Sequence, residues 1–437
     1  MSVAAALTQA RVARLLTGAL VAAALSVATM PPAAGGPGIP SIPQVNAVDT
    51  TPRVVDDATV TEAGVRELRQ VGSTMYAGGH FTRVQNAART ASYTRTNLFS
   101  FNTATSAVTS FAPAVNGEVL ALEPSADNRF LYVGGDFTSF GGASVNRLVR
   151  YDLVNNRVDT TFRFPVAAGR VSDLQLVGGR LFVGGTFPGG VVSVNPGTGA
   201  RDGYFDATQA TGAEQGYSTR IYRFAVNPAR TRMVVIGSFT AIGGRPRQQA
   251  AMLTLGASIA GVSGWSSTRW NEDCSDRLRF YTRDVDFAPD GGSFAIVTTG
   301  GGYPGTPKLC DTVTRWATTD SANQQPTWIN HSGGDTFHSV AYTDKAVFAS
   351  GHIRWLDNPL GRDTKGPGAV DRLGIGAIDP TTGKATSWNP TKSVEGGLGG
   401  FDLYVTGQGL WVGHFERLLG TGPNGREVHE GLGLLPF

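Results

Sequence analysis

Arginine and aromatic residues recur in the longest turn-rich segments of the chain, and such segments often carry binding residues. An arginine guanidinium can hold a carboxylate through two hydrogen bonds, and an aromatic ring can stack on a flat partner. The candidate ligand-binding residues are Arg83, Arg95, Arg245, Tyr303, Arg354, Trp355 and Arg417. For any single one of them the alternative is a solvated polar rim.

Three histidines, His80, His352 and His414, each follow a repeated glycine. A shared metal would need ligands ~2.1 Å from one ion, whereas equivalent positions on adjacent repeats lie about 10 Å apart. The corresponding residue elsewhere is Asp136, Thr186 or Ser238, so the position tolerates polar groups. The sequence therefore predicts neither a metal site nor a cofactor.

Motifs of known enzyme classes are absent from the sequence. Gly261-Val-Ser-Gly264 lacks the spacing of a nucleophile elbow, and there is no His-Glu-x-x-His or phosphate-binding glycine loop. Asp284 and Asp286 lack the spacing of a calcium loop, which indicates a strand start instead. Paired catalytic carboxylates can meet in space from distant positions, so an enzyme stays open as an alternative.

Residues 1–28 have the features of a secretory signal peptide. Arg11 and Arg14 lead into an apolar run, and Ser26-Val-Ala28 supplies small residues for cleavage after Ala28. The run is short for a membrane span, which needs ~20 residues. We expect a secreted or envelope-exterior protein with no membrane span after cleavage, and an uncleaved N-terminal anchor is the alternative. Residues 29–52, rich in Pro, Gly and Ala, predict a flexible linker.

The chain has two cysteines, Cys274 and Cys310. Exported proteins meet an oxidising environment, so we predict one disulfide between them. Two free buried thiols are the alternative.

A strand followed by Gly-Gly, a polar residue and an aromatic residue recurs along the chain. Clear copies are Tyr76-Ala-Gly-Gly-His-Phe81, Tyr132-Val-Gly-Gly-Asp-Phe137 and Phe182-Val-Gly-Gly-Thr-Phe187. The repeated glycine lies at 79, 135, 185, 237, 300, 351 and 413. A period of this size is typical of a repeat architecture.

The unit 117–164 shows what one repeat contains. Its predicted strands are Val119 to Glu123, Phe130 to Phe137, Leu148 to Asp152 and Val158 to Phe162. Four antiparallel strands per repeat predict a propeller blade. The last repeat lacks a fourth strand, and we expect the segment Arg53 to Val60 to supply it and close the ring, since an open ring leaves exposed strand edges.

The Gly-Gly-Asp-Phe-Thr-Ser-Phe-Gly-Gly run at 134–142 and its copies resemble the delta-60 repeat family of secreted bacterial β-propellers. The resemblance covers about residues 53–437 and implies an all-β, seven-bladed β-propeller of four-stranded antiparallel blades. It implies no catalytic residues. In such a propeller Cys274 and Cys310 fall on one face, which suits a disulfide.

Composition agrees with this architecture and excludes some partners. Glycine accounts for 58 of 437 residues, and the net charge is only +3. Without clusters of basic residues the chain lacks the electrostatic features of a nucleic-acid binder. We predict a non-catalytic binding or interaction module whose ligand is a glycan or a protein. The alternative is an extracellular hydrolase or lyase with its site at the loop-rich mouth of the propeller.

Overall fold

The computed structural model describes residues 38–60, 62–165, 169–213, 217–271, 274–275, 278–301, 308–392, 399–422 and 425–437. Within these ranges the chain is almost entirely β-structure, with short 3-10 helices at Asp206–Thr208 and Arg269–Asn271.

The strands are numbered in chain order. The first twelve are β1 (Arg53–Val55), β2 (Gly64–Val71), β3 (Thr74–His80), β4 (Arg83–Gln85), β5 (Ser92–Thr94), β6 (Leu98–Asn102), β7 (Val119–Pro124), β8 (Phe130–Gly135), β9 (Ser139–Phe140), β10 (Ala143–Ser144), β11 (Leu148–Asp152) and β12 (Arg157–Val158). The next twelve are β13 (Val171–Val177), β14 (Arg180–Gly185), β15 (Val191–Val194), β16 (Ala210–Thr211), β17 (Arg220–Val226), β18 (Arg232–Ser238), β19 (Ala241–Ile242), β20 (Arg245–Pro246), β21 (Ala250–Leu255), β22 (Ala260–Val262), β23 (Thr282–Phe287) and β24 (Ser293–Thr298). The remainder are β25 (Thr312–Ala317), β26 (Trp328–His331), β27 (Phe337–Tyr342), β28 (Val347–Gly351), β29 (Trp355–Leu356), β30 (Val370–Asp371), β31 (Ile375–Ile378), β32 (Asp402–Thr406), β33 (Gly409–Gly413), β34 (Leu418–Gly422), β35 (Gly425–Val428) and β36 (Leu432–Pro436).

Seven antiparallel sheets of three or four strands, one for each repeat, follow one another through the described ranges, and two smaller three-stranded sheets, β1-β4-β5 and β16-β19-β20, lie outside this series. The seven sheets are β2-β3-β6, β7-β8-β11-β12, β13-β14-β15, β17-β18-β21-β22, β23-β24-β25-β26, β27-β28-β31 and β32-β33-β36. The first strand of each sheet, here called its inner strand, packs against the inner strand of the next sheet. The inner strands of the first and last sheets also contact each other.

The hydrophobic cores lie between consecutive sheets. In β8, Leu131 and Val133 pack toward the first sheet, whereas Tyr132 packs toward the third. A strand that is buried on both faces needs apolar residues at successive positions, which explains the near-continuous apolar runs of the central strands. A further core joins the two ends of the array, with Trp411 of the last sheet against Phe101 of the first at a ring separation of 5.5 Å.

The predicted four-strand template is complete in the second, fourth and fifth sheets. In the first, third and sixth sheets single bridges replace the fourth strand, namely Phe101–Val108, Val194–Arg201 and Ile378–Ala385. The segments expected to be loops after the glycine motif contain small hairpins instead. These are β4-β5, β9-β10, β19-β20, β29-β30 and β34-β35.

The second glycine of the motif is explained by a close approach between strands. A Cβ at Gly135 would collide with the carbonyl oxygen of Glu118, just before inner strand β7. The same carbonyl accepts the Asp136 amide at 3.1 Å. Equivalent collisions would occur at Gly79, Gly185, Gly237 and Gly351. The glycine thus sets the polar residue that follows it beside the beginning of the inner strand.

The prediction that the segment Arg53 to Val60 supplies the fourth strand of the last sheet is wrong. Its strand β1 pairs with β4 of the hairpin in the first repeat. Two earlier residues lie along the outer edge of the last sheet, where the Gln44 amide donates to Pro436 O at 2.7 Å and the Val48 amide donates to Leu434 O at 2.9 Å. The edge carbonyls of β36 therefore have backbone partners.

Residues 38–52, predicted to be part of a flexible linker, are packed against the sheets. Ile39 and Ala47 are buried within the core between the sixth and seventh sheets. The Trp388 indole donates to Pro43 O at 2.7 Å. The apolar residues Ile39 and Ala47 explain the difference, because their burial offsets the entropy lost on ordering a Pro- and Gly-rich segment. The predicted signal peptide and residues 29–37 lie outside the described ranges.

Candidate binding site at the inner-strand entry

The loop arginines that the sequence suggested are spread over separate hairpins. Arg83 in β4 and Arg245 in β20 are exposed, and Arg417 is exposed beside Glu430, with 3.4 Å between Nε and Oε1. Tyr303 lies outside the described residues. Within the described ranges no hydrogen bond, ion pair or ring contact joins Arg83, Arg245 and Arg417 to one another, so these three arginines form no single site.

Arg95 and Arg354 are committed to internal contacts. Arg95 donates to Thr109 O at 2.7 Å. Arg354 holds Asp335 through two hydrogen bonds of 2.9 and 2.7 Å and stacks 4.3 Å above the ring of its neighbour Trp355. The hydrogen bonds to Asp335 raise the pKa of Arg354. These contacts stabilise the sixth repeat rather than present a free guanidinium.

A different set of side chains is brought together where the inner strands begin. Six inner strands carry a register shift of one residue at the same place, as between Val65 and Glu67 in β2. The extra residues are Arg66, Leu120, Ser172, Tyr222, Arg283 and His338. A bulge re-aims the side chain it carries, and bulges are frequent beside functional sites. In the last sheet Phe401 stands immediately before β32.

Side chains at these positions contact one another from sheet to sheet. We call Arg66, Tyr222, Tyr281, Arg283, His338 and Phe401 the entry ring. The Arg66 guanidinium lies 3.7 Å over the Phe401 ring, and Phe401 lies 5.4 Å from His338. His338 Nδ1 lies 2.7 Å from a guanidinium nitrogen of Arg283. The entry ring therefore continues across the seventh, sixth and fifth sheets.

The ring continues to the fourth sheet through tyrosines. Arg283 lies 5.5 Å over Tyr281, which is 5.7 Å from Tyr222. Arg220 stacks on Tyr222 at 4.7 Å and on Tyr217 at 5.2 Å. Flat aromatic faces and guanidinium groups therefore alternate along this side of the site.

This side of the site is positively charged. No carboxylate in the described ranges forms an ion pair with Arg220 or Arg283, in contrast to the nearby Arg66, Arg69 and Arg223. Burial lowers the pKa of His338 well below its usual range, with Arg283 adding to the effect, so the imidazole is neutral. Since an arginine can only donate, His338 Nδ1 accepts and Nε2 carries the proton.

The opposite side of the site holds carboxylates that are already paired. Arg66 Nε lies 2.6 Å from Glu118, and an Arg170 nitrogen lies 2.8 Å from Asp136. A pocket of about 390 Å³ adjoins these pairs, lined by Arg66, His80, Asn97, Asn116, Gly117, Glu118 and Asp136. Two motif residues, His80 and Asp136, thus meet in one pocket. His352 and His414 are elsewhere, and no group of three His, Cys, Asp or Glu side chains in the described ranges has the arrangement of a metal site.

An ionic network lies directly beneath the entry ring. Arg223 of the fourth sheet reaches Glu67 of the first at 3.1 Å and Asp173 of the third at 3.7 Å. Arg69 pairs with Glu67 at 2.5 Å and with Asp402 of the last sheet at 3.7 Å. We call Glu67, Arg69, Asp173, Arg223 and Asp402 the ionic floor. It joins sheets that are not neighbours, so its side chains occupy the space between the inner strands.

Carboxylates of the inner strands also fasten adjacent sheets. Asp402 accepts the Leu68 amide at 2.7 Å, and Asp173 accepts the Phe224 amide at 2.7 Å. Asp286 accepts the Tyr342 amide at 2.8 Å in the same manner. The contact between the last and first sheets therefore uses the same hydrogen bond as contacts between consecutive sheets.

These carboxylates predict that stability falls as the pH rises. Burial raises the pKa of Asp284 and Asp286 to about 7 in the folded chain, against about 3.9 for an unperturbed aspartate. The folded state then binds more protons than the unfolded state between those values, and raising the pH through 7 removes this advantage. The lowered pKa values of His338 and His414 act in the opposite direction below pH 6.5. Glu123, Asp311 and Asp402, whose pKa values burial also raises to about 7, add to the effect of Asp284 and Asp286. We therefore expect a higher thermal unfolding midpoint near pH 5 than near pH 8.

The Asp286→Asn variant tests the origin of that dependence, because asparagine imitates the protonated carboxyl. We expect its midpoint to vary less with pH than that of the wild type. The exposed Asp371, changed to Asn, is the control and should leave the profile as it was. A wild-type midpoint that rises between pH 5 and 8 would contradict the assignment.

The entry ring was missed by sequence reasoning because its members lie on the inner strands or immediately before them, whereas the candidates were sought in loops. Asp284 and Asp286 were expected only to mark a strand start. The sequence signal was two adjacent residues, each charged or a tyrosine, near the beginning of an otherwise apolar strand. Tyr222-Arg223 and Arg283-Asp284 are examples.

No protein-family model matches the sequence, and no curated protein matches it significantly. Among solved structures, a chain of Kuenenia stuttgartiensis hydrazine synthase aligns with a TM-score of 0.51 and 11% identity, covering 83% of this chain and 96% of that one. The WD40 repeats of RRP9 align with a TM-score of 0.51 and 10% identity, covering 90% of this chain and 99% of theirs. WD40 repeats form propeller blades, so the chain has a β-propeller fold.

Cys274 and Cys310 form the predicted disulfide, with Cα atoms 5.7 Å apart. No helix in the described ranges is long and apolar enough to cross a membrane.

Proposed function

We propose that this chain is a secreted, non-catalytic binding module that takes an acidic glycan at the entry ring. The observation that carries the proposal is the pairing of Arg220 and Arg283, which have no carboxylate partner in the described ranges, with the faces of Tyr222 and Tyr281. A guanidinium without an acid partner can hold a ligand carboxylate, and a tyrosine face can stack on a sugar ring.

A closed, seven-bladed ring of the delta-60 repeat type belongs to the same proposal. Seven sheets in the described ranges, the shared core of the first and last sheets, and the hydrogen bond from Leu68 to Asp402 support the ring. The glycine motif supports the family. The N-terminal pattern of residues 1–28 supports secretion or an envelope-exterior location, and the disulfide is consistent with an oxidising compartment.

A glycan fits the site better than a protein partner does. A protein interface usually presents a contiguous apolar patch. The exposed large apolar side chains in the described ranges are Val45, Val154, Ile259, Leu278 and Leu360, which belong to separate turns and segments. The entry ring, in contrast, combines aromatic faces with hydrogen-bond donors.

An extracellular hydrolase or lyase remains the rival class, and the carboxylates argue against a hydrolase. Glu118 and Asp136 at the entry are engaged by Arg66 and Arg170. Asp173, Asp286 and Asp402, whose pKa values are raised by burial, accept amides of the neighbouring inner strands. Incubation with acidic polysaccharides should therefore release neither reducing ends nor unsaturated uronate, and release of either would favour the enzyme.

Binding is tested by titrating the purified chain with polygalacturonate, a neutral dextran and an acidic peptide. We expect binding of polygalacturonate alone, weakening as salt is added. The Arg283→Gln variant should bind about 10- to 100-fold less tightly, because a charged hydrogen bond contributes roughly 1.5–3 kcal/mol.

Arg245→Gln is the matched control, since this exposed arginine lies on a hairpin away from the entry ring. Its affinity should equal that of the wild type. Loss of binding in Arg245→Gln but not in Arg283→Gln would indicate that the ligand binds at the β19-β20 hairpin and not at the entry ring. Preference for the acidic peptide would indicate a protein ligand instead. Both variants should keep the wild-type unfolding midpoint.

A further inference from the structure

We infer that the entry ring receives the end of a glycan chain, with the carboxylate of its terminal sugar at Arg283, rather than a stretch of chain that threads or crosses the site. This inference rests on the proposed function and names which part of the ligand is bound.

The recess between the entry ring and the ionic floor is shallow. Each of three entry-ring residues is followed directly by a residue of the ionic floor: Arg66 by Glu67, Tyr222 by Arg223, and Phe401 by Asp402. Successive residues of a strand are ~3.3 Å apart, so the floor begins about one residue below the ring. The recess therefore accommodates little more than one terminal group.

The space beneath the entry ring is closed by the ionic floor. The bond from Arg223 to Glu67 crosses the space between the inner strands of the fourth and first sheets at 3.1 Å, and Arg69, on the same strand as Glu67, holds that carboxylate at 2.5 Å. Glu67 is only 2% exposed. Displacing this network would leave buried charges unpaired, which is strongly unfavourable. A polymer consequently has no passage beneath the ring.

The entry-ring side chains are less exposed than the arginines of the hairpins. The Arg66 side chain is 20% exposed. The other half-buried members of the entry ring include Tyr281, Arg283, His338 and Phe401. The hairpin arginines Arg83 and Arg245 are exposed by comparison. A chain lying across the hairpins would meet those residues first, whereas a chain end can enter the recess.

The pocket next to Arg66 has the size of a small-molecule site. The pocket of about 390 Å³ beside Arg66 is near the lower limit of small-molecule sites, which span about 300–1,000 Å³. Its lining side chains Asn97 and Asn116 are already hydrogen-bonded within the protein. Glu118 and Asp136 are paired with Arg66 and Arg170, whereas the exposed His80 can meet a sugar hydroxyl.

The experiment is calorimetric titration with a short oligogalacturonate and with one several times longer. End recognition predicts one protein molecule per chain at both lengths, and competition by free galacturonate at both lengths. A number of protein molecules per chain that increases with length would overturn end recognition while leaving the proposed function intact. If neither length binds to protein with the wild-type unfolding midpoint, the proposed function fails, and end recognition fails with it.

Discussion

Changing Glu67 to Gln should lower the free energy of unfolding by about 3–5 kcal/mol, the usual loss when one member of a buried ion pair is removed. Glu67 is the carboxylate that Arg69 and Arg223 share, at 2.5 and 3.1 Å. Its replacement leaves both guanidinium groups in the interior with Asp173 and Asp402 as more distant partners, each at 3.7 Å. Urea unfolding followed by tryptophan fluorescence measures the loss.

Glu62→Gln is the matched control, because Glu62 is exposed and precedes the same strand. It should change the free energy of unfolding by less than about 0.5 kcal/mol. Adding Arg223→Gln to the Glu67→Gln chain should restore part of the loss, since one unpaired charge is then removed. If the single Glu67 variant is as stable as the control, the ionic floor does not stabilise the fold.

Removing the disulfide by Cys274→Ala with Cys310→Ala should lower stability by about 4 kcal/mol in the chain-entropy account. The two cysteines are 36 residues apart, and each sulfur is buried in the core between the fourth and fifth sheets. Without the bond the unfolded chain gains the freedom of that loop. The unfolding midpoint of the double variant measures the effect.

A reducing agent supplies the control for the same bond. It should lower the unfolding midpoint of the wild type, as the double substitution does, and leave the midpoint of the double variant unchanged. Equal midpoints for wild type and double variant under oxidising conditions would contradict a stabilising role for the disulfide.

The repeat and the strand pattern could be predicted because each depends on residues that are close together in the sequence. The disulfide could be predicted because an exported chain with two cysteines offers one pairing. Glycine recurs at the position of Gly135 because a backbone carbonyl, there that of Glu118, leaves no room for a side chain. This steric requirement therefore appears in the sequence as a repeated glycine. Alternation and continuous apolar runs likewise reflect burial on one or both faces of a strand.

The candidate site could not be predicted to the same extent, because its geometry depends on residues far apart in sequence. Arg223 meets Glu67 across 156 positions. A bulge in β17 is invisible in composition, yet it decides that Tyr222 belongs to the entry ring. Position in a long loop was also a poor indicator of an available side chain, because Arg354 lies in such a loop and is hydrogen-bonded to Asp335.

The ordering of residues 38–52 was missed for a related reason. Proline and glycine indicate a segment without regular structure, and that expectation concerns the segment in isolation. Its hydrogen bonds go to Pro436 and Leu434, whose edge becomes available only when the last sheet exists.

That arrangement has a consequence for biogenesis. A ribosome synthesises Gln44 and Val48 long before Pro436 and Leu434, so an early segment must wait, unpartnered, for almost the entire polypeptide to be made. The first sheet also shares its core with Trp411. Pairings over such distances are slow to form, and an unpaired strand edge invites aggregation meanwhile. Nascent chains that stop short of the last sheet would expose the places where both should join, which makes them natural targets for chaperones and proteases.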